Sequence, residues 1–81
     1  MKARVDVYPR REILDPQGKA IRGALERCGF AGVHDVRAGK SFEIVFDAKD
    51  AAAGEAALKQ MSEKLLANLV VEDYRIAILE A

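Results

Sequence analysis

The chain has 81 residues, 51% hydrophobic and 32% charged, with 13 Lys and Arg against 13 Asp and Glu. That length predicts one domain, residues 1–81, with a marginal core, since so short a chain buries only about 60–65% of its unfolded surface. Zero net charge argues against a nucleic-acid partner, the apolar content against disorder, and no run nears the roughly 18 apolar residues of a membrane span.

Cys28 is the one cysteine, so an internal disulfide is excluded. The first residues, MKARVDVYPRRE, lack the apolar run of a signal peptide. A soluble, cytoplasmic protein is expected.

In chain order, Ala3, Val5 and Val7 alternate with Arg4 and Asp6, the period of a half-buried strand, and Pro9 ends it near Tyr8. LDPQGKAIRGAL, Leu14 to Leu25, opens a helix predicted over 15–28. Asp15 is the N-cap and Pro16 takes the first helical position, where its missing N–H costs nothing. Ile21, Ala24, Leu25 and Cys28 form a stripe predicted to be buried. Gly29 closes the helix in the left-handed conformation, with Phe30 folding back on the last turn.

VHDVRAGKSFEIVF, Val33 to Phe46, predicts a β-hairpin turning near Gly39, with Val36 and Ala38 on one strand and Phe42, Ile44 and Phe46 on the other. Asp47 or Asp50 caps a second helix reaching Asn68, its apolar face built from Leu58, Met61 and Leu65 with Ala57 and Leu66. Gly54 inside it costs about 1 kcal/mol relative to Ala and could admit a close backbone. Tyr74 to Leu79 forms the last strand, Tyr74, Ile76 and Ile78 on one face.

The order β-α-β-β-α-β predicts an α+β, ferredoxin-like two-layer sandwich: a four-stranded antiparallel sheet with two helices on one face. The open face would carry Arg4, Asp6, Tyr8, Glu43, Val45, Arg75, Ala77 and Leu79. Val45, Ala77 and Leu79, with the edge strands, are the candidate self-association residues.

No residue is singled out as catalytic, cofactor-binding or metal-ligating. Cys28 falls on the apolar stripe and reads as a small buried hydrophobe; His34 has no second histidine or cysteine to share a metal. Asp47, Asp50, Glu55, Glu72 and Asp73 read as caps and solvated charges, and Tyr8-Pro9-Arg10-Arg11 as a solvated basic loop. Phe42 and Phe46 belong to the core set, which leaves no stacking platform for RNA. An acylphosphatase-like anion loop lacks its glycines. An ACT-like small-ligand regulatory domain fits the topology and is the alternative reading.

LDPQGKAIRGAL, GFAGVHDVRAGKSFEI and EKLLANLVVEDYRI, in that order and spacing, closely resemble the PurS family, small subunits of formylglycinamidine ribonucleotide synthase in purine biosynthesis. The resemblance implies a subunit with no active site and no cofactor of its own. It implies self-association as a dimer or tetramer, and bridging of a large ATP-dependent synthetase subunit (PurL) and a glutaminase subunit (PurQ). Together these convert formylglycinamide ribonucleotide, glutamine and ATP to formylglycinamidine ribonucleotide, glutamate, ADP and phosphate. Two departures from the family's usual pattern stand out: Arg11-Glu12 in place of Pro-Gly, and Leu69 where many members have proline. Asp15, Pro16, Gln17 and Gly18 are the candidate docking residues, an amide side chain and a bare backbone at the positive end of a helix. The same four residues also suffice simply to start a helix.

Overall fold

Alternating small and β-branched residues in the first strand allow it to be flanked on both sides, and it forms the middle of the sheet. The computed structural model describes residues 1–11 and 13–81. Strand β1 (Lys2–Pro9) lies between β2 (Lys40–Val45) and β3 (Glu72–Glu80), in the order β2-β1-β3, antiparallel throughout. Val5 sits opposite Phe42 on one side and Ile76 on the other, and Ala3 opposite Ile44 and Ile78. Ala3, Val5 and Val7 are buried together with Leu58 and Ala67, and Phe42, Ile44, Phe46, Met61, Leu66, Tyr74 and Ile76 pack around them.

Helix α1 (Pro16–Arg27) and helix α2 (Ala51–Met61) match the two predicted helices, with Asp15 and Asp50 as N-caps. Gly29, at φ 99°, closes α1; its N–H reaches the Glu26 carbonyl and the Phe30 N–H the Leu25 carbonyl, the paired bonds of a Schellman motif. Helix α2 stops earlier than the apolar pattern suggests. The buried Ser62 hydroxyl donates to the Leu58 carbonyl at 2.8 Å, and the chain widens into a π-helical turn, Ser62–Leu66. Asn68 lies beyond that turn and organises the lead-in to β3. Its carbonyl accepts from Val71 and Glu72, its side chain accepts from the Val70 N–H, and its own N–H donates to Glu72. Leu69, which follows Asn68, accepts a bond from Arg10 Nη1 at its carbonyl. Gly54 is buried beneath the Met1 side chain, with the Ala48 side chain beside it.

Two expectations are corrected. The sheet has three strands among the described residues, not four, because residues 33–39 form no ladder. Instead the Ala38 N–H donates to Asp15 Oδ2 at 2.7 Å, the Val36 carbonyl lies against Gly18, and Gly39 packs on Val7 and Tyr8. The helix cap and the end of β1 thus hold this segment across the start of α1, and it does not return along β2.

The second correction concerns α1, which packs extensively on neither the sheet nor α2. Its stripe is not buried: Ile21 is 38% exposed, Ala24 and Cys28 are exposed, and only Leu25 is half-buried. The radius of gyration is 15.8 Å, against roughly 12 Å for a compact chain of this length. One helix covers the sheet, and the other stands off with an apolar face and no partner among the described residues.

Candidate functional site

The start of α1 is built around one carboxylate. Asp15 Oδ1 accepts the Gly18 N–H at 3.0 Å, and Oδ2 accepts the Ala38 N–H at 2.7 Å. These two donors, Gly18 first, together with the Arg37 guanidinium hold the Asp15 carboxyl below its ordinary range. Pro16 and Gln17 are exposed, whereas Gly18 is buried under the Val36 carbonyl. Of the four candidate docking residues, Pro16 and Gln17 therefore present the outer surface, and Asp15 and Gly18 hold the corner together.

Beside this corner lies a cleft of about 480 Å³, with Arg11, Asp15, Lys19, Asp35 and Arg37 among its lining residues. Arg37 stacks on the Tyr8 ring, its guanidinium carbon 5.1 Å from the centroid, and Arg75 approaches the same ring at 5.9 Å. Arg37 Nη2 is buried with no hydrogen-bond acceptor. Glu12, half of the Arg11-Glu12 departure, lies outside the described residues. Arg10, read as part of a solvated loop, serves the fold: its backbone N–H donates to the Val71 carbonyl and its Nη1 to the Leu69 carbonyl.

The open sheet face carries the second candidate set. Val45 is 76% exposed beside Lys2, and Ala77, half-buried, pairs with Arg4 on the other side of β1. Leu79 falls at a β-bulge, where the register shifts between Lys2 and Ala3, and is 44% exposed. Val45 is thus separated from Ala77 and Leu79 by the central strand. Between them run the Lys2–Glu43 ion pair at 3.3 Å and the Arg4–Asp6 pair at 3.2 Å. The Ser41 hydroxyl donates to Asp6 and, ahead of Arg4 and Arg75, lowers that carboxyl's pKa. The face is a polar lattice with apolar margins, and the outer edges of β2 and β3 lack strand partners among the described residues.

Among the described residues no three His, Cys, Asp or Glu side chains gather as a metal site. His34 is exposed in the non-strand segment, and Cys28 is exposed rather than buried, a correction that follows from α1 standing off the sheet. The cleft and the Tyr8–Arg37 stack were not legible in sequence. They depend on the path of residues 33–39, and the only available signal was that Asp15 has a second oxygen to spare after capping.

The family model PurS, phosphoribosylformylglycinamidine (FGAM) synthase, matches residues 2–80. The chain belongs to the PurS family. The PurS subunit of phosphoribosylformylglycinamidine synthase from Mycobacterium leprae is 49% identical over 75 residues, spanning 93% of this chain and 91% of that one. The Bacillus subtilis PurS structure superposes with a TM-score of 0.84 at 42% identity, covering 98% of each chain. A chain of the PurLQS structure from Thermotoga maritima gives a TM-score of 0.88 at 32% identity, covering 96% of this chain and 95% of that one. The fold of this chain is therefore shared along nearly its whole length with these two solved structures.

Proposed function

We propose that this chain is the small, non-catalytic assembly subunit of an ATP- and glutamine-dependent formylglycinamidine ribonucleotide synthase. It joins a synthetase subunit (PurL) to a glutaminase subunit (PurQ) in the cytoplasm, acting as one PurS-like domain over residues 1–81. The observation that carries the reading is the near full-length match to a chain of the PurLQS structure. The physical features agree with it. Among the described residues no helix is long and apolar enough to cross a membrane. The chain is less compact than its length warrants and leaves an apolar helix face and two strand edges open, surfaces that proteins cover by association. Ammonia freed at a glutaminase has to reach the synthetase before it is lost to water, and a rigid bridging part fixes the geometry for that transfer.

The test is reconstitution. The three subunits are expected to co-purify, and glutamine-dependent synthesis is expected to collapse when this chain is left out while ammonia-dependent synthesis by the large subunit persists. Undiminished glutamine-dependent synthesis without the chain would sink the bridging role.

Bridging is proposed to use more than one copy, with edge strands pairing and Val45, Ala77 and Leu79 contributing to the join. Sedimentation at micromolar concentration should show a species heavier than one chain. Leu79→Lys should weaken it at least about tenfold, the effect of about 1.4 kcal/mol at an interface. Lys59→Glu on the exposed side of α2 should leave it unchanged. A wild-type species of single-chain mass overturns the self-association reading.

A further inference from the structure

We propose that the cleft beside the start of α1 is a socket for a single carboxylate, a Glu or Asp side chain carried on a loop of a partner subunit of the synthase. The proposal rests on the assembly reading above and adds where and by what chemistry one contact is made.

Three cations line the cleft, Arg11, Lys19 and Arg37, against two carboxylates, Asp15 and Asp35. None of the three cations makes an ion pair or a side-chain hydrogen bond to a described residue. Asp15 offsets them through space only: its oxygens accept the Gly18 and Ala38 N–H groups, and it makes no ion pair with a described residue. The formal balance of the described lining residues is thus one positive charge. A single carboxylate brings it to zero, whereas a phosphate dianion would leave an excess of negative charge beside Asp15 and Asp35.

The shape selects in the same direction. Ile13, Leu14 and Val36 supply the apolar part of the lining, and Leu14 is 68% exposed. Apolar and charged residues lining one cleft suit a side chain with an aliphatic stem and an ionised tip. Arg37 is held ready by its stack on Tyr8 at 5.1 Å, so little side-chain freedom is lost when a carboxylate arrives. Its Nη2 has no acceptor from the chain, so its charge is compensated through space alone until a counter-ion enters. The positive end of α1 adds to the field in the same place.

The experiment measures binding of the whole chain to the purified synthetase and glutaminase subunits at several salt concentrations. Arg37→Gln and Lys19→Gln are each expected to weaken binding about tenfold and to flatten its salt dependence, and Lys59→Gln, which removes a charge from α2, is expected to do neither. Lys19 is exposed on the helix surface, so its variant keeps the test decisive even if Arg37→Gln perturbs folding. Wild-type binding with both variants within twofold of it overturns the socket and leaves the assembly reading intact. Failure of the wild type to bind either subunit overturns both. A rise in melting temperature of the isolated chain with inorganic phosphate, lost in Lys19→Gln, overturns the carboxylate assignment in favour of a small-anion site.

Discussion

Leu58→Ala is expected to lower the melting temperature by at least roughly 10 °C. Leu58 is fully buried on the one helix that covers the sheet, packed in the cluster with Ala3, Val5 and Val7. Truncating a buried leucine costs about 2–5 kcal/mol, the transfer loss plus the cavity left behind. At about 0.05–0.15 kcal/mol per residue, a chain of this length has only about 4–12 kcal/mol in total. Each kilocalorie lost shifts the midpoint by about 4–8 °C in a domain this small. The effect is sharpened here because α1 gives the sheet no second covering layer, so no other helix can settle into the void. Leu65→Ala removes the same atoms from the adjoining π-helical turn, where the side chain is 83% exposed, and should stay within about 0.5 kcal/mol of wild type. Both variants need comparison at one protein concentration, since association adds stability by mass action. Equal melting temperatures for the two would show that Leu58 is not part of the core.

What could be read from the sequence was whatever local residues decide. Strand β1 announced itself through Ala3, Val5 and Val7, and α1 through Asp15, Pro16 and Gly29, because caps and alternation act over a few residues. An apolar stripe says that a helix has a face to bury, not what buries it. Ile21, Ala24, Leu25 and Cys28 therefore predicted a core position that the lone chain does not provide. The missing fourth strand has the same origin. Val36 and Ala38 alternate as a strand should, yet a distant carboxylate, Asp15, takes the Ala38 N–H that a ladder would need. The break in α2 depended on one hydroxyl, Ser62, turning back to its own helix. Of the candidate site, Asp15 to Gly18 were found because they are contiguous. The cleft was not, because Arg11, Lys19 and Arg37 meet only once residues 33–39 cross the start of α1.

Gly18→Ala and Gly23→Ala, five residues apart on one helix, are expected to move stability in opposite directions. Alanine is the better helix former by about 0.5–1 kcal/mol and also restricts the unfolded chain. At Gly23 a methyl group would meet only the tip of Arg27, 3.4 Å away and free to move, so the gain should appear in full. At Gly18 the methyl group would overlap the Val36 backbone carbonyl and stand 2.6 Å from Asp15 Oδ2. A carbonyl held in the chain cannot swing aside as a side-chain tip can, so residues 36–38 have to shift. That shift breaks the 2.7 Å bond from the Ala38 N–H to Asp15 and disturbs the carboxylate that caps the helix. Overpacking costs about 1–3 kcal/mol and an impaired cap about 0.5–2 kcal/mol. After the propensity gain, the net loss at Gly18 is about 1–4 kcal/mol. Urea unfolding followed by circular dichroism resolves the signs, with Gly18→Ala below wild type and Gly23→Ala above it. If Gly18→Ala matched or exceeded wild-type stability, the segment carrying Val36 would not lie against this helix, and the cleft built on that crossing would fall with it.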